Sequence, residues 1–166
     1  MSTETQSDTA TGGGFALEQW QAGVLGGIVG AIVFGIVLLG AHPGRPIEVA
    51  MPTMYGFGPD SGAIGFTIHL AHGAVLGVVF AAIVELSGLR TKFGDNRSLA
   101  LAGLGYGLVT WLLLAALLMP LWLEAVGSPA QPPFPNLTSA GANVSLVGHA
   151  IFGVVLGLLY SVTATD

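Results

Sequence analysis

The spacing of charge along this chain constrains its fold more than any other feature. Between Glu18 and Arg45 lie 26 uncharged residues, between Asp60 and Glu85 another 24, between Arg97 and Glu124 another 26, and between Glu124 and Asp166 a further 41. A bilayer core of about 30 Å is crossed by about 20 apolar residues in a helix that rises about 1.5 Å per residue. Each of the first three gaps therefore holds one span. The fourth also holds one, because residues 128–135 (SPAQPPFP) are closed to helix by proline, which lacks the N–H and disfavours helix before it. The expected spans are 19–41, 62–86, 98–123 and 142–162. Helices are expected instead of a barrel, since the apolar runs are continuous and not alternating.

Composition closes off other classes. The chain is 52% hydrophobic and 8% charged, about a third of the charge of an ordinary soluble domain, which excludes a soluble enzyme domain. Four Lys and Arg against nine Asp and Glu exclude a nucleic-acid binder, which needs a basic surface. Without cysteine there is no disulfide, thiolate metal site or thiol nucleophile. No phosphate-binding loop, HExxH or kinase signature is present, and the carboxylates fall in loops, tails and helix ends. An enzyme is therefore not expected. Residues 1–18 are Ser-, Thr- and Gly-rich and acidic, with little to bury. They read as a disordered tail ahead of a membrane domain at 19–166, and not as a signal peptide, which begins with positive charge.

Arg90, Lys92 and Arg97 cluster between the second and third spans, while Arg45 lies on the other side. The positive-inside rule then places that loop and both termini in the cytoplasm of a cell-membrane protein. Trp20 and Trp122 fall at span ends, as aromatic belts require.

The chain also matches itself at an offset of 80 residues. Ala22-Gly23 and Gly27-Ile28-Val29 fall on Ala102-Gly103 and Gly107-Leu108-Val109. His69, Gly73 and Val75-Leu76-Gly77 fall on His149, Gly153 and Val155-Leu156-Gly157. The expected architecture is all-α: a four-helix transmembrane bundle made of two duplicated hairpins, about 19–86 and 98–162. An axis along the membrane normal relates such parallel repeats. Glycines four apart, as in Gly73 and Gly77, lie near one helix face and let membrane helices approach closely.

The same register pairs two intramembrane histidines. His69 and His149 lie at a shared depth, roughly 10–12 Å inside the outer helix ends, and each shares a face with glycine. His72 is on a flank of that face, opposite Phe152 in the repeat, and Ser145 lies one turn before His149. Ionisable side chains inside a membrane are costly and mark functional sites. Read as a cofactor site, His69, His149 and His72 with Gly73 and Gly153 would hold a b-type haem, the two imidazoles as axial ligands. Read as a metal site, His69 and His149, with His72, would bind copper or zinc. The same residues serve a proton or solute pathway, or simple hydrogen bonding across the bundle. His42 reads as an interfacial residue, and Glu85 as close enough to Arg90 to pair.

With its duplicated His-x3-Gly-x3-Gly motif, at His69-Gly73-Gly77 and His149-Gly153-Gly157, the chain resembles small four-helix membrane proteins frequent in halophilic archaea. The resemblance covers nearly everything beyond the tail and implies no particular activity. The functional expectation is a cofactor-binding or accessory subunit of a membrane complex, with a channel or transporter component and a ligand-free structural protein as alternatives. Its partners are the lipid bilayer and either other membrane subunits or further copies of itself.

Overall fold

Four helices of the computed structural model, which describes residues 17–42, 45–93 and 95–165, are long and apolar enough to cross a membrane. They are α1 (Gln19–Ala41), α3 (Gly62–Ser87), α5 (Asn96–Ala125) and α6 (Ala140–Thr163). Two short helices, α2 (Met51–Met54) and α4 (Leu89–Phe93), complete the chain order. The fold is all-helical, that of a multi-pass membrane protein. Most of the expected tail, 1–16, lies outside the described residues; Leu17 and Glu18 belong to the fold.

The ends of the spans follow local chemistry. Asp95 accepts the backbone N–H of Ser98 and caps α5, while Ser139 accepts that of Ala142 and caps α6. Gly88, at φ 65°, ends α3 in a left-handed turn that a side chain would strain. Pro120 has no N–H to offer the Ala116 carbonyl one turn back. Around that gap the helix widens to a π-helical stretch, Trp111–Leu118, and the N–H of Asn136 supplies a bond to Ala116 O at 2.9 Å. The wider turn before Pro120 thus also fastens the Pro-rich loop to α5.

Both long loops fold back on the helix ends instead of spreading. In the first, a π-helical turn (Pro46–Ala50) leads into α2. Ile47, Ala50 and Pro52 are buried there, and Gly65 of α3 is bare where the Ile47 carbonyl comes down on it. Thr53 Oγ1 meets Ser128 Oγ at 2.6 Å, and the Trp122 indole donates to Met54 O at 3.0 Å. These two loops form a cap over one end of the bundle, the cap end.

At the opposite, terminal end the backbone of Leu17 bonds to Thr163 and Thr165, each at 2.8 Å. Arg90 Nη2 donates to Ala164 O at 2.7 Å, and Tyr160 Oη donates to Glu85 at 2.6 Å. Glu85 therefore takes the hydroxyl of a buried tyrosine from α6.

Glycine decides which helices touch. On α1, Gly23 and Gly27 lie against Gly77 and Gly73 of α3; a Cβ on any of them would strike a carbonyl oxygen of the other helix. On α5, Gly103 and Gly107 meet Gly153 and the His149 carbonyl of α6 in the same way. A third contact joins α1 to α6, where Gly26 faces Leu156 and Gly30 faces Phe152. The spatial order is therefore α3–α1–α6–α5. The glycine faces of α3 and α6 do not meet each other, since α1 fills one and α5 the other.

The fourth side, between α3 and α5, does not pack along its length, and the sequence says why. Eighty residues after Gly26 and Gly30 stand Tyr106 and Thr110. The α5 helix thus carries a bulky ring where α1 has a bare backbone. Tyr106 Oη reaches across to Leu76 O at 2.8 Å, and its ring lies 5.4 Å from that of Phe80.

The glycine contacts predict a steep positional contrast. Gly153→Val should destabilise the bundle by about 1–3 kcal/mol, the usual cost of overpacking. Gly105→Ala should be neutral or stabilising, because nothing lies within 4 Å of its added methyl and alanine is the better helix former. Unfolding in mixed detergent micelles reads both.

Candidate functional site

Three packed interfaces and one open one leave a cavity of about 800 Å³ in the cap half of the bundle. All four histidines, His42, His69, His72 and His149, line it. Met51, Met54 and Met119 line it too, with the aromatic rings of Phe34, Tyr55 and Trp122. Its wall is otherwise mostly aliphatic, and among the described residues no carboxylate lines it. Val75 on α3 and Leu118 on α5 line the cavity and are also 62% and 46% exposed. The cavity therefore opens sideways between α3 and α5, where a bilayer would lie.

His69 and His149 both pack against one ring. The Phe34 centroid is 5.3 Å from that of His69 and 4.7 Å from that of His149, edge-on to both. Gly148 makes room for it, since a Cβ there would fall on the Phe34 ring. His69 is buried, and its Nε2 lies 2.9 Å from the Ala31 carbonyl of α1. His149 turns its Nδ1 onto the Ser145 carbonyl of its own helix at 2.8 Å, with the Ser145 hydroxyl farther, at 3.4 Å. Ser145 thus meets His149 chiefly through its backbone carbonyl.

This arrangement does not fit a haem between His69 and His149. The Phe34 ring packs against both imidazoles, and His69 spends its Nε2 on a backbone carbonyl. Nor do the glycines make room for a macrocycle. Gly73 borders the cavity but is pressed against Gly27 and Ala31, and Gly153 lies in the α5–α6 contact. Among the described residues no three of His, Asp and Glu gather closely enough to share a metal ion. His72 is drawn to the cap, where its Nε2 meets Tyr55 Oη at 2.6 Å.

Sequence reasoning missed Phe34, Tyr55 and the methionines, and placed His42 at the interface without linking it to the other histidines. No sequence signal marked Phe34; only in the fold do it and Leu114, 80 residues on, line one cavity. The Tyr55–His72 contact carried none, since it depends on how the first loop folds back.

His42 ends α1 outside the span, half-buried beside Gly141. Burial lowers its pKa below the ordinary 6.5, opposed in part by a hydrogen bond to the Gly141 backbone and by the Glu48 charge. The unfolded chain therefore takes up a proton at this residue before the folded one does, so stability falls as pH drops below about 6.5. His42→Gln should flatten that part of the stability–pH profile, and the His42 ring resonance should titrate below 6.5 in the intact protein.

Searches against family models, curated proteins and solved structures return no match for this chain.

Proposed function

We propose that this protein binds a small, largely apolar molecule in its membrane-embedded, histidine-lined cavity, serving as a binding or accessory subunit in the cell membrane. The observation that carries this reading is the cavity itself: apolar walls, a few convergent polar groups and one open side. Ligand pockets typically hold about 300–1,000 Å³ and have this make-up, and the volume here, about 800 Å³, falls in that range. A bis-histidine haem is not supported, for the reasons of geometry given above. The Tyr106–Leu76 bond bridges α3 and α5 at the edge of the cavity, which favours a pocket over a conducting path.

Two features of origin and orientation belong to the same proposal. The bundle descends from a duplicated hairpin. In support, register mates line the same cavity: Phe34 with Leu114, Leu38 with Leu118, His42 with Trp122, and His69 with His149. The two glycine contacts within the hairpins also use matching positions. The terminal end, with Arg90, Lys92 and Arg97 near it, faces the cytoplasm by the positive-inside rule. The cap and cavity then lie in the outer half.

The test uses Trp122 as the only tryptophan, in a Trp20→Phe/Trp111→Phe background in lipid nanodiscs. Bromododecylbenzene, a heavy-atom quencher, should quench it saturably, and Ala115→Phe, which fills the cavity, should abolish the saturable part. Quenching that rises linearly and is equal in both proteins would overturn the reading. So would an intense Soret band in the purified protein that disappears in His149→Ala.

A further inference from the structure

The hydrogen bonds of the two central histidines narrow the chemistry of the ligand, on the reading that the cavity is a binding pocket. A backbone carbonyl can only accept, so the nitrogen facing it carries the hydrogen. His69 donates from Nε2 to Ala31 O, and His149 donates from Nδ1 to Ser145 O. In a neutral imidazole the other nitrogen then holds a lone pair: Nδ1 in His69 and Nε2 in His149. Neutral rings are what this site favours. No carboxylate lines the cavity among the described residues, and an uncompensated cation inside a bilayer is costly. The cation at the cavity rim, Arg45, is engaged outside with Asp60 at 2.9 Å and Glu48 at 4.0 Å. The two residues at the heart of the pocket are thus both acceptors, with their tautomers fixed by backbone.

Two central acceptors with no carboxylate beside them among the described residues select an uncharged ligand that donates. The sideways mouth at Val75 and Leu118 selects one that is soluble in lipid. Phe34, Tyr55 and Trp122 offer rings for an aromatic ligand to pack against, in edge-on or offset geometry, and the three methionines adapt to its outline. We infer that the pocket takes a lipid-soluble phenol of the hydroquinone type. The ligand enters from the bilayer between α3 and α5, and His69 and His149 hold it by its hydroxyl hydrogens. Its oxidised quinone form offers carbonyl acceptors to the same lone pairs and is held less well.

Competition against bromododecylbenzene quenching of Trp122 tests this with three probes of similar size: decylhydroquinone under reducing conditions, decylquinone and decylbenzene. The hydroquinone should displace the quencher at a concentration at least tenfold below either of the others. In His149→Phe that preference should shrink several-fold while decylbenzene binding persists, which shows that the pocket still stands. Should His149→Phe fail to fold, the order of the three probes in the wild-type protein decides alone. Equal affinity for all three, or tighter binding of the quinone, would overturn the hydroquinone assignment and leave the binding pocket intact. Failure of all three to displace the quencher would also overturn the assignment. The pocket reading itself falls only if the quencher does not bind saturably.

Discussion

Lipid gives two membrane helices no hydrophobic reason to associate, because a chain of methylenes is as apolar as a leucine. What remains is close packing, and here close packing means glycine set against a neighbouring carbonyl. Gly23 and Gly27 against Gly73 and Gly77, and Gly103 and Gly107 against Gly153, bring two pairs of backbones as near as backbones come. Every later feature depends on this. With the hairpins zipped at their glycine faces, α3 and α6 have those faces occupied, and the histidines beside them turn to the space left over in the cap half.

That space exists because one of two possible contacts between the hairpins forms and the other does not. The α1–α6 contact forms over Gly26 and Gly30, while the α3–α5 contact is held off by Tyr106. The tyrosine acts both as a spacer and as a strut, its hydroxyl satisfied by Leu76 O. Hydrogen bonds of this kind in membrane bundles contribute about 0.6 kcal/mol, so the strut fixes a position more than it stabilises a fold. Pro120 plays a comparable part on the facing wall. By withholding one N–H it lets α5 widen along the cavity and gives the second loop a carbonyl to fasten to.

The four spans were legible because a lipid core enforces one simple rule, and the charge gaps obey it. The first span begins and ends at the expected residues, and the other three differ from their expected limits by one or two. The glycine faces were legible from their four-residue spacing, since Gly73 and Gly77 do meet a neighbouring helix. The shape of the site was not. Phe34 packed on both histidines, Tyr55 on His72 and the folded-back segment carrying Met51 and Met54 depend on contacts that no local pattern encodes. The haem expectation rested on equal depth and a shared face, and neither foretold that a phenyl ring from a third helix packs on both imidazoles or that His69 Nε2 meets the Ala31 carbonyl.

On the proposed duplication, the contrast between Gly26 and Tyr106 bears on why a protein would keep two copies of a hairpin in one chain. In a homodimer of identical hairpins the two interfaces between subunits are the same surface used twice, so any substitution that opens one opens the other. Joining the copies removes that bond. One copy can keep its glycines and seal its side, while the other takes on a tyrosine and leaves a doorway. On the proposed duplication, the single sideways mouth of this cavity is something that only the fused chain can have: a bundle with one door, where its symmetric ancestor had two or none.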